Sequence, residues 1–217
     1  SGSGGSTPAT SDLGSGRTAV ATAIGFYSSC AILDDGSVRC WGQYNGGSSG
    51  STMSIGTGRI AVTITAGFDH ACAILDDASL LCWGGTSNGQ LGDGTTTSRH
   101  SPVKVMDANV TAVAAGYAHS LFLKVDGTLW ATGRNDWGQL GDGTTIDRNS
   151  PVQVASNVVR IAAGGYHSLY EKADGTLWSV GINHVGQLGA GTAIRQTTPV
   201  VAVDANVTKV SAGKYHS

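Results

Sequence analysis

Two residue types in this chain have spacings that bear on chemistry, cysteine and histidine. The cysteines are Cys30, Cys40, Cys72 and Cys82, so the members of each pair stand ten positions apart. Zinc sites usually leave two to four residues between close ligands, and nine residues lie between the members of each pair. Buried thiols, which pack as small apolar groups, and two local disulfides fit the spacing better. His70, His119, His167 and His216 fall 49, 48 and 49 residues apart. A metal needs ligands that converge on one point, and so regular a spacing holds these rings in equivalent places on separate units. A structural role follows, in which each ring donates to a backbone carbonyl of a neighbouring strand. His100 and His184 are read as loop residues outside that register.

Other chemistry is weaker still. The glycine clusters at 14–16 and 56–58 suggest phosphate loops, but such loops open a helix. These precede expected strands, and no Gly-Lys-Ser/Thr follows. The Gly-Asp-Gly-Thr runs at 92–95 and 141–144 suggest calcium, yet each offers one carboxylate, and Ala190 replaces it in the next copy. Calcium takes six to eight oxygens, so these runs are read as turns. No unique Ser, His and Asp set breaks the repeat. The chain is therefore expected not to be an enzyme and to need no cofactor or metal.

The elements that position these residues are copies of one another. Gly42, Gly84, Gly133 and Gly181 recur at intervals of 42, 49 and 48 residues, and Ser28, His70, His119 and His167 each precede one of them by 14. Periods of that size mark arrays of similar units. The expected units are 17–58, 59–109, 110–157 and 158–206. Residues 1–16 read as the end of a preceding unit or a linker, and 207–217 as the start of the next. Within a unit, Ala112–Gly116 is a small-residue strand suited to a crowded interior. A hairpin follows, turning at Asp126-Gly127, because glycine accepts positive φ without a Cβ clash. Pro151-Val152-Gln153-Val154 carries a proline suited to an edge strand. Four short strands per unit is the pattern of a propeller blade.

In units three and four the cysteine positions hold Leu121/Ala131 and Leu169/Ser179. The pairs vanish together, which favours bonds Cys30–Cys40 and Cys72–Cys82 across each hairpin. Opposed residues of an antiparallel pair lie within disulfide reach. Pairing Cys30 with Cys40 sets Leu33 opposite Ser37 and leaves a three-residue loop, Asp34-Asp35-Gly36, with Gly36 left-handed. The same register puts Ala78 in the left-handed position of the second hairpin. Trp41 and Trp83 stand two residues later in their units than Trp130 and Trp178. A shift of two keeps one strand face, so all four are expected in the same inter-blade slot.

The recurring Ala-Ala-Gly-x-x-His-Ser, Asp-Gly-Thr-Leu-Trp, Gly-Gln-Leu-Gly-Asp-Gly-Thr and Ser-Pro-Val segments stand nearly complete at 114–152 and 162–200. By them the chain resembles the regulator-of-chromosome-condensation repeat family over essentially its whole length. The third and fourth units are most similar to bacterial members, including the secreted β-lactamase-inhibitor propeller. The resemblance implies an all-β fold, a β-propeller with four short antiparallel strands per blade, of which about four blades of a seven-bladed ring are present. Four blades leave two open edges, which invite self-association. The first unit departs from the pattern with Ser28 for histidine and Gly47-Ser48 for Gly-Gln.

Charged residues are 13% and net charge is −2, which gives no basic face for nucleic acid, and no apolar run reaches a membrane span. Disulfides would place the protein extracellularly or on the cell surface. Recognition on a rigid scaffold resides in variable loops. Here these are 43–45, 85–87, 134–137 and 182–185, with Tyr44, Arg134, Asp136, Trp137 and His184 as protein-binding candidates. Trp137 could pack locally or anchor a partner. The leading expectation is a non-enzymatic extracellular protein-binding propeller, with inhibition of a secreted enzyme as a special case implied by the resemblance. The alternatives are a guanine-nucleotide exchange regulator of a small GTPase, whose exchange-active insertion is not visible, and a propeller lyase. Asn109-Val110-Thr111 and Asn206-Val207-Thr208 match the glycosylation sequon.

Overall fold

A computed structural model describes residues 16–42, 47–204 and 207–217. Residues 1–15, Tyr44 and Asn206 lie outside the described residues, and with them the preceding-unit reading of the N-terminus. Strands β1 (Ala19–Ile24), β2 (Ser28–Leu33), β3 (Val38–Gly42) and β4 (Gly47–Met53) form one sheet. A second comprises β5 (Ala61–Ala66), β6 (His70–Leu75), β7 (Leu80–Gly84) and β8 (Arg99–Met106). The third is built from β9 (Val110–Ala115), β10 (His119–Lys124), β11 (Leu129–Gly133) and β12 (Arg148–Ala155). The fourth is built from β13 (Val158–Ala163), β14 (His167–Lys172), β15 (Leu177–Gly181) and β16 (Gln196–Val203). Every pairing is antiparallel and joins neighbours in sequence. No helix occurs among the described residues. His100, expected in a loop, lies in β8, which begins one residue before it where Arg99 pairs with Gly84 of β7.

First strands of successive sheets lie against one another, β1 on β5, β5 on β9 and β9 on β13. They are the inner strands, and their alanines, with the glycine that follows each strand, permit that approach. The sheets stack face to face, and side chains of alternate parity point to the preceding and the following blade. Cys30, Ile32, Val38 and Cys40 of the first blade meet Ala71, Ala73, Leu75, Leu81 and Trp83 of the second. Cys72, Leu80 and Cys82 meet Phe122, with Trp130 beside them, and Leu121, Leu129 and Ala131 meet Tyr170, with Trp178 beside them. Trp83, Trp130 and Trp178 thus all face the preceding blade, as a shift of two residues requires.

The hairpins have the three-residue loop that the cysteine register demands. Cys30 pairs with Cys40 and Cys72 with Cys82, each with Cα atoms 4.1 Å apart and sulfurs at disulfide distance. Gly36, Ala78, Gly127 and Gly175 all have positive φ, 62° at Ala78. An aspartate before each of them accepts the backbone N–H of the residue after it, as Asp126 does from Thr128 at 2.9 Å. The left-handed residue also aims its carbonyl at the next blade. Ala61 N–H donates to Gly36 O, Val110 to Ala78 O and Val158 to Gly127 O, at 2.9, 3.0 and 3.0 Å.

Candidate functional site

The β1–β2 type turns and the long loops after β7, β11 and β15 gather at one end of the blade stack, and the Asp-Gly hairpin turns lie at the other. At the first end the histidines occupy the register read from sequence. His70, His119 and His167 are completely buried. Each ring lies against the glycine three residues before it, where a Cβ on Gly67, Gly116 or Gly164 would overlap the ring. The expected backbone-carbonyl acceptor is corrected by the structure. His70 Nε2 meets Ser120 Oγ at 2.9 Å, and His119 Nε2 meets Ser168 Oγ at 3.0 Å, in each case a serine of the following blade. That serine in turn donates to a carbonyl of the blade before it, Ser120 to Gln90 O at 2.8 Å and Ser168 to Gln139 O at 2.7 Å. The hydroxyl's one proton is therefore used, so the histidine must be the donor through Nε2–H. His167 makes the same bond to Ser217, which donates to Gln187 O. Burial drives the pKa of His70 to about 4, of His119 to about 3 and of His167 to about 4. These are neutral latches between blades, with the chain's repeated His-Ser and Gly-Gln as their parts.

The long loops are pinned from within. Asn135 Nδ2 donates to Asp142 and to the carbonyls of Thr144 and Ile146, while its Oδ1 accepts Leu140 N–H at 3.0 Å. Asp142 meets Arg148 at 2.8 Å, and Asp93 meets Arg99 at 2.7 Å, which accounts for the Gly-Asp-Gly-Thr carboxylates without an ion. The fourth blade has Ala190 and Gln196 at these places, so both partners change together. No cluster of three potential metal ligands occurs among the described residues.

Four of the five binding candidates come together here, and Tyr44 lies outside the described residues. Arg134 donates to Asp136 at 2.6 Å, and its guanidinium stands 5.6 Å over the Tyr166 ring. The Asp136 carboxylate raises the pKa of Arg134 further. Trp137 is half-buried and packs edge to face on the exposed His184 of the next blade, centroids 5.0 Å apart.

Sequence reasoning missed the largest feature of this end. Phe26, Phe68, Tyr117, Tyr166 and Tyr215 stack in succession, centroids 4.9, 4.0, 5.0 and 6.1 Å apart and interplanar angles of 24–25°. Tyr27 adds an edge contact to Phe68 at 4.7 Å. The arc follows the inner-strand ends around an open cleft of about 320 Å³ floored by glycine and alanine backbone. Blade-to-blade backbone bonds fix it: Phe26 N–H to Gly67 O, Tyr27 to Phe68 O, Phe68 to Tyr117 O and Tyr117 to Gly165 O. The available signal was an aromatic residue one or two positions before the histidine register in every unit. It slips by one position at Tyr166 and Tyr215, which hides it from a fixed-offset comparison.

Comparison with solved structures gives the same architecture. A chain in the crystal structure of Kap60 bound to yeast RCC1 (Prp20) superposes with a TM-score of 0.77 at 23% identity, covering 90% of this chain and 52% of that one. Human WBSCR16 gives 0.70 at 18% identity, covering 91% and 70%. The ectodomain of the Physcomitrella patens receptor kinase CR4 gives 0.57 at 15% identity, covering 92% and 49%. The chain thus spans about half the length of the first and third of these. No curated protein sequence matches it. Two family models, both described as the regulator of chromosome condensation (RCC1) repeat, match residues 77–123, 126–170 and 174–217, and residues 19–48, 61–90, 110–139 and 158–187. The chain is a member of the RCC1-repeat family, folded as an all-β propeller array.

Proposed function

We propose that this chain is a non-enzymatic, extracellular protein-binding propeller whose contact surface is the end bearing the aromatic arc. The stacked arc is the observation that carries this reading. Aromatic rings supply large contact area with little conformational entropy to lose, and backbone bonds between blades hold them in place before any partner arrives. Phe26 is 68% exposed and Tyr27 48%, Phe68 beside them is partly exposed, and contiguous exposed apolar surface marks interaction sites. Arg134 and Trp137, at the edge of the arc, are of the types enriched in interface hot spots. The extracellular part rests on the two cysteine pairs, taken as disulfides, since such bonds persist outside the cytosol. An ectodomain among the structural neighbours is in keeping with it. Blocking a secreted enzyme is one form such binding could take.

The test is capture of the partner from the extracellular fluid of the source, its identification, and affinity measurement with two variants. Phe26→Ala/Tyr27→Ala/Trp137→Ala is expected to lose about 100-fold or more in affinity, and Asp126→Lys/Asp174→Lys, at the opposite end, to lose none. The reverse pattern overturns the proposal. A second reading, regulation of a small GTPase, is favoured by the likeness to yeast RCC1 (Prp20), which was also solved with attention to its binding of Gsp1p and histones. It requires reduced cysteines, and accelerated nucleotide release from a GTPase would establish it.

A further inference from the structure

The aromatic arc is not uniform along its length, and the difference bears on what it holds. At the first-blade end Phe26, Tyr27 and Phe68 form a three-ring cluster. At the other end the rings carry cations: Arg134 stands over Tyr166 and Lys214 over Tyr215, 5.2 Å from the centroid. Arg195, exposed in the neighbouring loop, donates to Asp136 O at 3.1 Å. Between Gly175 and Val203 the chain has no Asp or Glu; of the fourth blade's earlier acids, Glu171 is held by Arg160 and Asp174 lies in the hairpin turn at the opposite end.

The acids that do reach this face stand elsewhere or are engaged. Asp136 is held by Arg134, and Asp147 accepts from Asn88 and from the Asn135 backbone between the second and third blades. Asp69, in the second blade, accepts from Gln90. Neither Arg195 nor Lys214 has an ion-pair partner among the described residues.

We infer that the arc binds an extended protein segment of about six residues, apolar or aromatic at one end and acidic at the other. The apolar end seats on Phe26, Tyr27 and Phe68, and the carboxylates meet Arg195 and Lys214, Arg134 being held by Asp136. The length follows from the spacing of the stacked rings, which an extended chain at ~3.3 Å per residue covers in about six. The polarity follows from charge complementarity, which sets orientation and suppresses wrong partners more than it adds affinity. Basic segments are excluded at the fourth-blade end, and free polar segments leave the exposed phenylalanine uncovered. The inference rests on the binding face proposed above and adds the chemistry of its partner.

The test is selection of binders from a random twelve-residue peptide library displayed on phage, with the oxidised protein as bait. The best peptide is then synthesised and its affinity measured by fluorescence anisotropy. Four exposed positions supply the variants, Phe26→Ala, Tyr27→Ala, Arg195→Glu and Lys214→Glu, with circular dichroism melting as the folding control. The expected outcome is enrichment of an acidic cluster about four residues from an apolar one. Phe26→Ala/Tyr27→Ala and Arg195→Glu/Lys214→Glu should each weaken the peptide about tenfold or more, and the charge effect should shrink as salt rises from about 0.05 to about 0.5 M. Peptides without acids, sensitive to the aromatic variant and indifferent to the charge variant, overturn this inference and leave the binding face standing. Peptides indifferent to both variants, or no enrichment above background, overturn both.

Discussion

The junction between the first and second blades and the junctions that follow solve one packing problem in two ways. Later junctions are latched by a buried histidine and serine, His70 with Ser120 and His119 with Ser168. At the first junction the same two positions hold Ser28 and Ala71, so donor and acceptor are both gone. Ser28 Oγ is buried with no hydrogen-bond partner among the described residues. Apolar packing takes over there: Trp83 is wholly buried in a cluster with Cys30, Cys40, Met53 and Ile55. A buried polar group left unpaired costs about 1–3 kcal/mol, so a histidine at 28 facing Ala71 would strand its N–H, and the smaller Ser28 hydroxyl leaves the same kind of cost at this junction. The repeat therefore conserves a slot and its filling, not a residue.

The two solutions should fail under opposite conditions, and the largest expected effect is with acid. The folded-state pKa values of His70, His119 and His167 are depressed from 6.5 to about 4, 3 and 4. The unfolded chain binds protons first as pH falls. Their contribution is complete above pH 6.5 and declines toward the folded values, by about 1.4 kcal/mol per pH unit for each histidine. Between pH 6.5 and 4, hydrogen exchange should rise in blades two to four and least at the Ser28–Ala71 junction. The carboxylates held below the ordinary carboxylate range by their turn hydrogen bonds, Asp126 and Asp174 among them, lose their contribution mostly beneath that window. Uniform exchange across the four blades would refute the latch assignment.

Reductant should act at the other end. Each cysteine pair closes a short loop, worth about 2.5–3 kcal/mol in the chain-entropy treatment. Reduction is expected to lower the urea midpoint and raise exchange in β2–β3 and β6–β7, with β10–β11 and β14–β15 unaffected. Peptide mapping without reductant should recover Cys30–Cys40 and Cys72–Cys82. A bond between blades would sink the pairing, and four free thiols would sink both the pairing and the extracellular placement.

A transplant sharpens the contrast at lower cost. Ser28→His with Ala71→Ser rebuilds the latch at the first junction. The double variant is expected to exceed the sum of its singles by about 1 kcal/mol in urea unfolding, a normal coupling for residues in contact. At the third junction Ser168→Ala leaves His119 Nε2–H without an acceptor and should cost about 1–3 kcal/mol. Additive behaviour of Ser28→His and Ala71→Ser would mean that the slot accepts the residues without forming the bond.

How much of this was readable in the chain depends on the distance over which a contact acts. The hairpins were legible because their partners are ten residues apart and the cysteines fix the register. The latch was half legible. His-Ser looks like a local dipeptide, yet each histidine bonds the serine of the next unit, a distance of 50 positions for His70 and Ser120. Only the three-dimensional stacking of blades brings those two together. The arc was hidden for the same reason, and because Tyr166 and Tyr215 sit one position later than Phe68 and Tyr117 relative to their histidines. Trp137, left between two roles by its sequence, makes an edge-to-face contact with His184 and remains half exposed.

The smallest expected effect concerns the turn that the cysteine register placed. Gly36, Gly127 and Gly175 occupy the left-handed position in three hairpins, and Ala78 in the fourth, with φ of 62°. A non-glycine residue there costs roughly 1–2 kcal/mol, while glycine gives back about 0.4–1 kcal/mol through the freer unfolded chain. Ala78→Gly should therefore stabilise the second blade by about 0.5–1 kcal/mol. The reverse change is not its mirror image. A Cβ on Gly36 would overlap Ile60, whose place beyond Ala78 is taken by Asn109. Gly36→Ala is expected to cost more than the backbone strain alone, because Ile60 must move and Ala61 N–H bonds to the Gly36 carbonyl beside it at 2.9 Å. Gly127→Ala, where a Cβ would meet its nearest atom at 3.5 Å, should cost the strain and little more. Urea unfolding of the three variants gives the order directly. If Ala78→Gly destabilises, the alanine methyl contributes packing that outweighs its strain, and the second hairpin differs from the others by adaptation and not by tolerance.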